Sequence, residues 1–546
     1  MTRHSIALGI LSFLILSACD RRQELTPILL LATDKDFGTY TGEILHAEGF
    51  NAFNIKSVFD GTVKLPVLRN YDVVILAQHE IGELYCEMLR KYVSEGGILI
   101  AFRPDTGLYD LFGISGPVGQ IFDGYIAIDT LNSAGKGLTD QKIQFHGISE
   151  KYTRTTAIRL AALYEDDENL SEYPALVSNN FGSGIAYAFS YNLSETVVLT
   201  RQGNPLAAGL EMDGINGIRA MDLFTGGWID TSRNIINQAD VHMNLLSHCI
   251  ETQNSTGKPL PRLWYFPDNL RCLVTLTNDG EYRTEADFEA QLSDMDSLGA
   301  GMTLYVLETN KVSKHWSEKW SSRGFELSGH PDDTHEAGDP QWTNMYNALK
   351  NKKVEIADLY GEEMKTVVNH WFVWCGKDSA GNPEFAAQAM IEASQGLGMD
   401  INYAHYDNGS TKGHFLGSPG YYQGNFNGSG LVMKFANSKG RILNLYQHLN
   451  NVYDQQYFEL NDPDGFFECF KGLMDRSLKN EVYSFISIKS HNDEYFFSKE
   501  PLLRMTSYAT EQGIPVWTAA NLLDFLKARD EAYFNEFRWD GIKLSF

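Results

Sequence analysis

Residues 272–284 read CLVTLTNDGEYRT. The apolar run from Cys272 to Thr277 has the look of a buried strand, and it stops abruptly at Asn278-Asp279-Gly280-Glu281. A second such run closes among carboxylates and two histidines, His330 and His335, where residues 324–339 read GFELSGHPDDTHEAGD. Further strand candidates lie at 301–307, 370–374, 399–406, 482–489 and 514–519, with helical segments at 285–299, 384–398 and 500–513 between them. Seven strands with interleaved helices predict a distorted seven-stranded β/α barrel over residues 270–530. Chemistry in such barrels sits at the C-terminal strand ends.

Upstream, strands at 27–33, 71–77 and 98–102 alternate with helices. That spacing implies a parallel sheet covered on both faces. The helix before the strand ILIAF (98–102) stops at Gly96-Gly97, a C-terminal glycine signal. This first module, 27–252, resembles the class I glutamine amidotransferase-like fold, a flavodoxin-like sheet. The active family carries a cysteine on a sharp strand-to-helix turn. Here ILIAF runs into RPDTGLYDLFG, which has no Cys or Ser at that turn, so the module is expected to be catalytically silent. The polar, proline-punctuated stretch 253–269 reads as a linker, and 531–546 as a tail.

The chain has 546 residues, enough for two or three domains. Its 45 basic and 70 acidic residues give a formal charge of −25, which argues against nucleic acid. Aromatic residues make up 12% of the chain, which suits sugar stacking and equally suits a well-packed acidic protein. Residues 1–20, MTRHSIALGILSFLILSACD, have a basic start and an apolar run too short to span a bilayer, then Ser17-Ala18-Cys19. Leu-Ser-Ala-Cys resembles the bacterial lipobox, which implies a signal peptide over 1–19, lipidation of Cys19, a tether over 20–26 and a lipid-anchored place in the cell envelope. The other five cysteines form no CxxC pair and are expected to be buried small hydrophobes.

Polar residues gathered after apolar strands are what an active-site face would show. One carboxylate and two imidazoles with an open position form a common catalytic zinc set. From Arg271 to about Arg529 the chain resembles the polysaccharide deacetylases, carbohydrate esterase family four. TNDGE stands where that family has Thr-Phe-Asp-Asp-Gly, GHPDDTH where it has a histidine pair, and SIKSHND where a late strand carries an acid histidine. The resemblance implies a divalent metal, zinc foremost, held by Asp279, His330 and His335. Catalytic candidates are His491 and His370, with Asp400 as an orienting carboxylate. The implied activity is deacylation of a glycan; the alternatives are a catalytically silent carbohydrate-binding lipoprotein and a metal-dependent hydrolase of another substrate, such as a peptide.

Three departures stand out. Asn278 occupies the family's base position, which leaves Asp332, Asp333 and Glu281 as nearby carboxylates. The two histidines are separated by four residues instead of three. The family's arginine-proline motif is missing, and Asn369 and His370 lie in its place. Asp279 also reads as a turn aspartate, His491 as a strand-end cap and Asp400 as a structural acid. Trp371 and Trp374 are read as strand residues of the core, and His405 and His414 as structural.

Overall fold

The computed structural model describes residues 26–77, 80–212, 217–233, 236–252, 258–332, 340–361, 363–403, 405–406, 415–417, 428–479, 482–534 and 537–546. Cys19 and the leader, and also Asp333, His335 and His414, lie outside the described residues. The fold is mixed α/β with parallel sheets.

Apolar runs with no alternation become the central strands of the first sheet. Ile28–Leu31, Val73–Leu76 and Ile98–Phe102 are buried at every position. Five strands pair in parallel in the order Phe53–Lys56, Ile28–Leu31, Val73–Leu76, Ile98–Phe102, Gly184–Phe189. Four antiparallel strands then extend the sheet, beginning with Leu170–Phe181 and ending at Ile143–Gln144. The antiparallel half is harder to see in sequence because a strand such as Leu170–Phe181 is buried at some positions and exposed at others.

The second half forms two parallel arcs. In one, Glu326–Gly329, Thr303–Val306, Cys272–Gly280, Ser484–His491 and Val452–Tyr453 lie side by side. In the other, Thr366–Val367, Met399–Tyr403 and Ile442–Leu449 are parallel, with Met433–Ala436 antiparallel at the edge. The strand expected at 370–374 is instead a single 3-10 turn, His370–Phe372. Trp371 and Phe372 have φ of 57° and 54°, values that no strand residue adopts. The strand at 514–519 shrinks to Val516–Trp517, which pairs beside Val274 and Thr275. Ile442–Leu449 was not expected, because Asn444, Gln447 and His448 interrupt its apolar pattern.

One hydrophobic cluster runs through both halves, from Ile28 and Tyr40 to Cys272 and Phe485. Polar bonds seal the seam. Gln202 Nε2 donates to the Ala436 carbonyl at 2.7 Å and its Oε1 accepts from Ala436 N–H at 2.8 Å. Cys86, Cys249, Cys272, Cys375 and Cys469 are free and buried, as expected. Among the described residues no helix is long and apolar enough to cross a membrane.

Candidate metal centre

Register brings the first two side chains together. Cys272–Gly280 pairs in parallel with Ser484–His491, so Asp279 lies opposite His491. Side chains alternate along a strand, so Asp279 and Glu281 point to one face and Asn278 to the other. Asn278 is buried and donates to Ser490 Oγ at 2.9 Å, away from the site. Gly280 shares that tight outer face: a Cβ there would lie 2.9 Å from the Phe288 ring and 3.0 Å from Leu304.

Lys489, also fully buried, donates from Nζ to Asp279 Oδ1 at 2.7 Å. The pair places one Asp279 oxygen on an ammonium and leaves Oδ2 facing the histidines. Lys489 carries no signal in the sequence, since a strand lysine ordinarily faces water.

His330 follows Glu326–Gly329 and is fully buried. Its Nδ1 lies 2.7 Å from the Val368 carbonyl, so Nδ1–H donates and Nε2 is the nitrogen left facing the site. That Nε2 is buried without a hydrogen-bond partner, 3.7 Å from Asp279 Oδ2 and 3.6 Å from Glu281 Oε1. His370 is brought in by a backbone bond from its N–H to the Pro331 carbonyl, 2.9 Å. Its Nε2 lies 3.2 Å from Glu281 Oε1 and its Nδ1 3.1 Å from Asp332 Oδ1. His491 Nδ1 lies 2.9 Å from Asp454 Oδ1, and its backbone N–H donates to Asp454 Oδ2 at 2.6 Å. His491 Nε2 is 3.8 Å from Asp279 Oδ2. Asp454 was not anticipated. It opens the helix Asp454–Leu460 directly after a two-residue strand, and nothing in the local sequence marks it.

The donor set fits a divalent ion that takes nitrogen and oxygen ligands. Two groups, Glu281-His330-His370 and Asp279-Glu281-His491, hold their ligating atoms within 4.8 Å of one another. Ligands at about 2.1 Å around a tetrahedral ion are themselves about 3.4 Å apart. Four nitrogen–oxygen separations, 3.2 to 3.8 Å, lie near that spacing. His370 and His491 each rest on a carboxylate, the arrangement that fixes the tautomer of ligating and acid–base histidines.

The charges are strongly coupled. Burial pushes the Asp279 carboxyl up, but Lys489 first, then His330 and His491, hold it below its ordinary value. Burial likewise opposes ionisation of Glu281, and His330 and His370 hold that carboxyl well below the usual range. Burial lowers both His370 and His491; Asp332 and Glu281 bring His370 up to about 9, and Asp454, Asp279 and Glu281 do the same for His491.

Asp400 belongs to neither ligating group. It is fully buried, and its carboxylate accepts from Asn402 Nδ2 and from Asn402 N–H. Burial raises it to about 7, beside Glu392. Its link to the site is indirect, since Asn402 Oδ1 accepts from the Asn369 N–H at 2.7 Å, next to His370. Trp374 is buried in the core as expected, whereas Trp371 is 45% exposed and lines the site. A cavity of about 180 Å³ opens over Asp279, Glu281 and His491, walled by Trp371, Phe372 and Tyr453, with Asp493 and Glu494 at one side.

No family model matches the sequence, and no curated protein matches it. Solved structures give partial likenesses. A β-galactosidase from Bacillus circulans sp. alkalophilus is 15% identical, with a TM-score of 0.27 over 32% of this chain and 30% of its own. The chain thus spans under a third of that enzyme's length. A CE4-family pseudoenzyme from Bacillus anthracis is 10% identical, with a TM-score of 0.28 over 47% of this chain and 66% of its own. A family 4 carbohydrate esterase from Streptomyces lividans, in complex with acetate, is 12% identical, with a TM-score of 0.28 over 45% of this chain and 91% of its own.

Proposed function

We propose that this chain is a divalent-metal-dependent hydrolase that removes acyl groups, acetyl foremost, from a glycan. The observation that carries this reading is His330 Nε2, buried without a hydrogen-bond partner and facing two carboxylates at 3.6 and 3.7 Å. A buried imidazole nitrogen that makes no hydrogen bond and faces two carboxylates sits where a bound cation would be well placed. The two parallel arcs then form one distorted barrel over 270–530, preceded by a flavodoxin-like, amidotransferase-like module at 27–252 and the linker at 253–269. The leader, with lipidation at Cys19, would anchor the protein to a membrane of the bacterial cell envelope, on its periplasmic or cell-surface side.

In this reading Glu281, His330 and His370 hold the ion, Asp279, expected as a ligand, serves beside it, and His335 lies outside the described residues. A divalent ion there supplies Lewis acidity and makes water acidic enough to react near neutrality. Asp279 Oδ2 accepts the proton of the attacking water; Lys489 keeps that carboxylate ionised and fixes its orientation. His491, protonated and held by Asp454, donates to the leaving amine or alcohol. One group held ionised beside one held protonated is the separation that acid–base catalysis requires. Trp371, 45% exposed, flanks the opening as a ring surface for a sugar.

One observation favours the silent alternative, a carbohydrate-binding lipoprotein: Asn278, at the family's base position, is turned away from the cavity. Elemental analysis of the protein begun after Cys19, beside His330→Ala, separates the readings when combined with acetate release from acetylated oligosaccharides. Near-stoichiometric zinc lost in the variant, with acetate released, supports the hydrolase. Metal without turnover supports the binding protein, and no metal in either sample sinks the proposal.

A further inference from the structure

We infer that the first module completes the active-site wall of the second, and that Arg219 is the positioning residue through which it does so. This goes beyond the hydrolase reading, and it rests on that reading only where metal affinity is measured.

Arg219 follows the first sheet in sequence and is 1% exposed. Its Nε donates to the Trp371 carbonyl at 3.1 Å, and its guanidinium carbon lies 5.9 Å from the centre of the Trp371 ring. Nη1 donates to the Gly217 carbonyl at 2.8 Å. The backbone joins as well: Arg219 and Val373 form an antiparallel bridge, and Trp374 N–H donates to the Ile218 carbonyl at 2.9 Å. The Arg219 backbone is itself anchored, its N–H donating to Asp222 Oδ2 at 2.7 Å.

What Arg219 grips is the most strained part of the site. Trp371 and Phe372 are consecutive bulky residues in the left-handed region, a conformation that persists only where the surroundings over-determine it. On one side His370 and Asn369 fasten the turn within the second half. On the other side, residues 218 and 219 bond the Trp371 carbonyl and the Trp374 N–H. The turn also touches the charged centre. The Lys489 ammonium that binds Asp279 sits 4.8 Å from the centre of the Phe372 ring, and His370 immediately precedes Trp371. Release of Trp371 would therefore loosen His370 on one side and uncover Lys489 on the other.

The test uses the full chain begun after Cys19, with Arg219→Ala and Arg219→Lys, each also combined with Trp371→Phe. Acrylamide quenching, taken as the difference between proteins with and without the Trp371→Phe change, reports the mobility of Trp371 alone. It should rise in Arg219→Ala. Arg219→Lys keeps the charge and most of the packing but lacks the planar fork, so it should rescue quenching only in part. Zinc affinity should fall about tenfold in Arg219→Ala, the scale at which lost support of a metal ligand registers. Trp371 quenching unchanged in both variants overturns the inference, whatever the metal result. If the unaltered protein takes up no metal, the hydrolase reading fails and quenching alone decides the role of Arg219.

Discussion

Lys489→Met tests the charge balance at the centre of the site. The side chains are close in length, so the change removes the ammonium and keeps most of the packing against Phe372. Asp279 is then a buried carboxylate without its 2.7 Å partner. Removing one member of a buried ion pair costs about 3–5 kcal/mol. The sign with pH follows from the direction of the shift. The Asp279 carboxyl is depressed in the folded protein, so its contribution is present above the unfolded value near 4 and is lost as pH falls through the folded value. In Lys489→Met the largest depressing influence is gone and burial dominates, so the carboxyl rises and takes up a proton as the pH falls. The difference in urea stability between the two proteins should therefore be largest near pH 8, about 3–5 kcal/mol, and should narrow towards pH 5 as protonation relieves the buried charge. Metal-free protein is compared first, because a bound dication would itself neutralise Asp279. A difference below about 1 kcal/mol, or one constant across that pH range, would refute the reasoning, since surface-like pairs behave that way.

Glu281→Gln keeps the shape of the side chain but not its charge. It should weaken zinc binding by at least about a hundredfold, because Glu281 is the carboxylate shared by both ligating groups; isothermal titration with a competing chelator measures this. Asp454→Asn removes the main influence holding His491 near 9. The alkaline limb of acetate release, which reports loss of the His491 proton, should then move down towards about 6.5. Glu43, at the seam, is raised from 4.5 to about 7 by burial and then Asp530. Its folded state binds the proton more tightly, so stability falls as pH rises from about 4.5 to about 7, by about 3 kcal/mol if the group acts alone. Glu43→Gln should flatten that decline in urea melts, and an unchanged slope would assign it to other groups.

Much of this protein was legible in residue order. Apolar runs without alternation announced the parallel strands Ile98–Phe102 and Cys272–Gly280, because a strand buried on both faces has no polar side to show. The break at Asn278-Asp279-Gly280-Glu281 marks the strand end that carries the acidic pair, His330 and His491 stand out after apolar segments, and His370 stands out as lying where the resembled family has its arginine-proline motif. Which of them meet was decided by tertiary structure. Alternation turned Asn278 outward and Glu281 inward, a one-residue distinction that depends on where the strand enters its sheet. Lys489, Asp454 and Arg219 reach the site from chain segments far from Asp279, and a lysine, a helix-start aspartate and a buried arginine look ordinary until register and packing aim them. The turn at Trp371 is hidden for the same reason: the aromatic and apolar run from Trp371 to Trp374 suits a strand locally, and bonds from the distant Arg219 join local ones in holding the backbone in the left-handed region. Local patterns determine which elements form, because burial and backbone bonding act over a few residues. The site is a sum of long-range contacts, each set by how those elements pack.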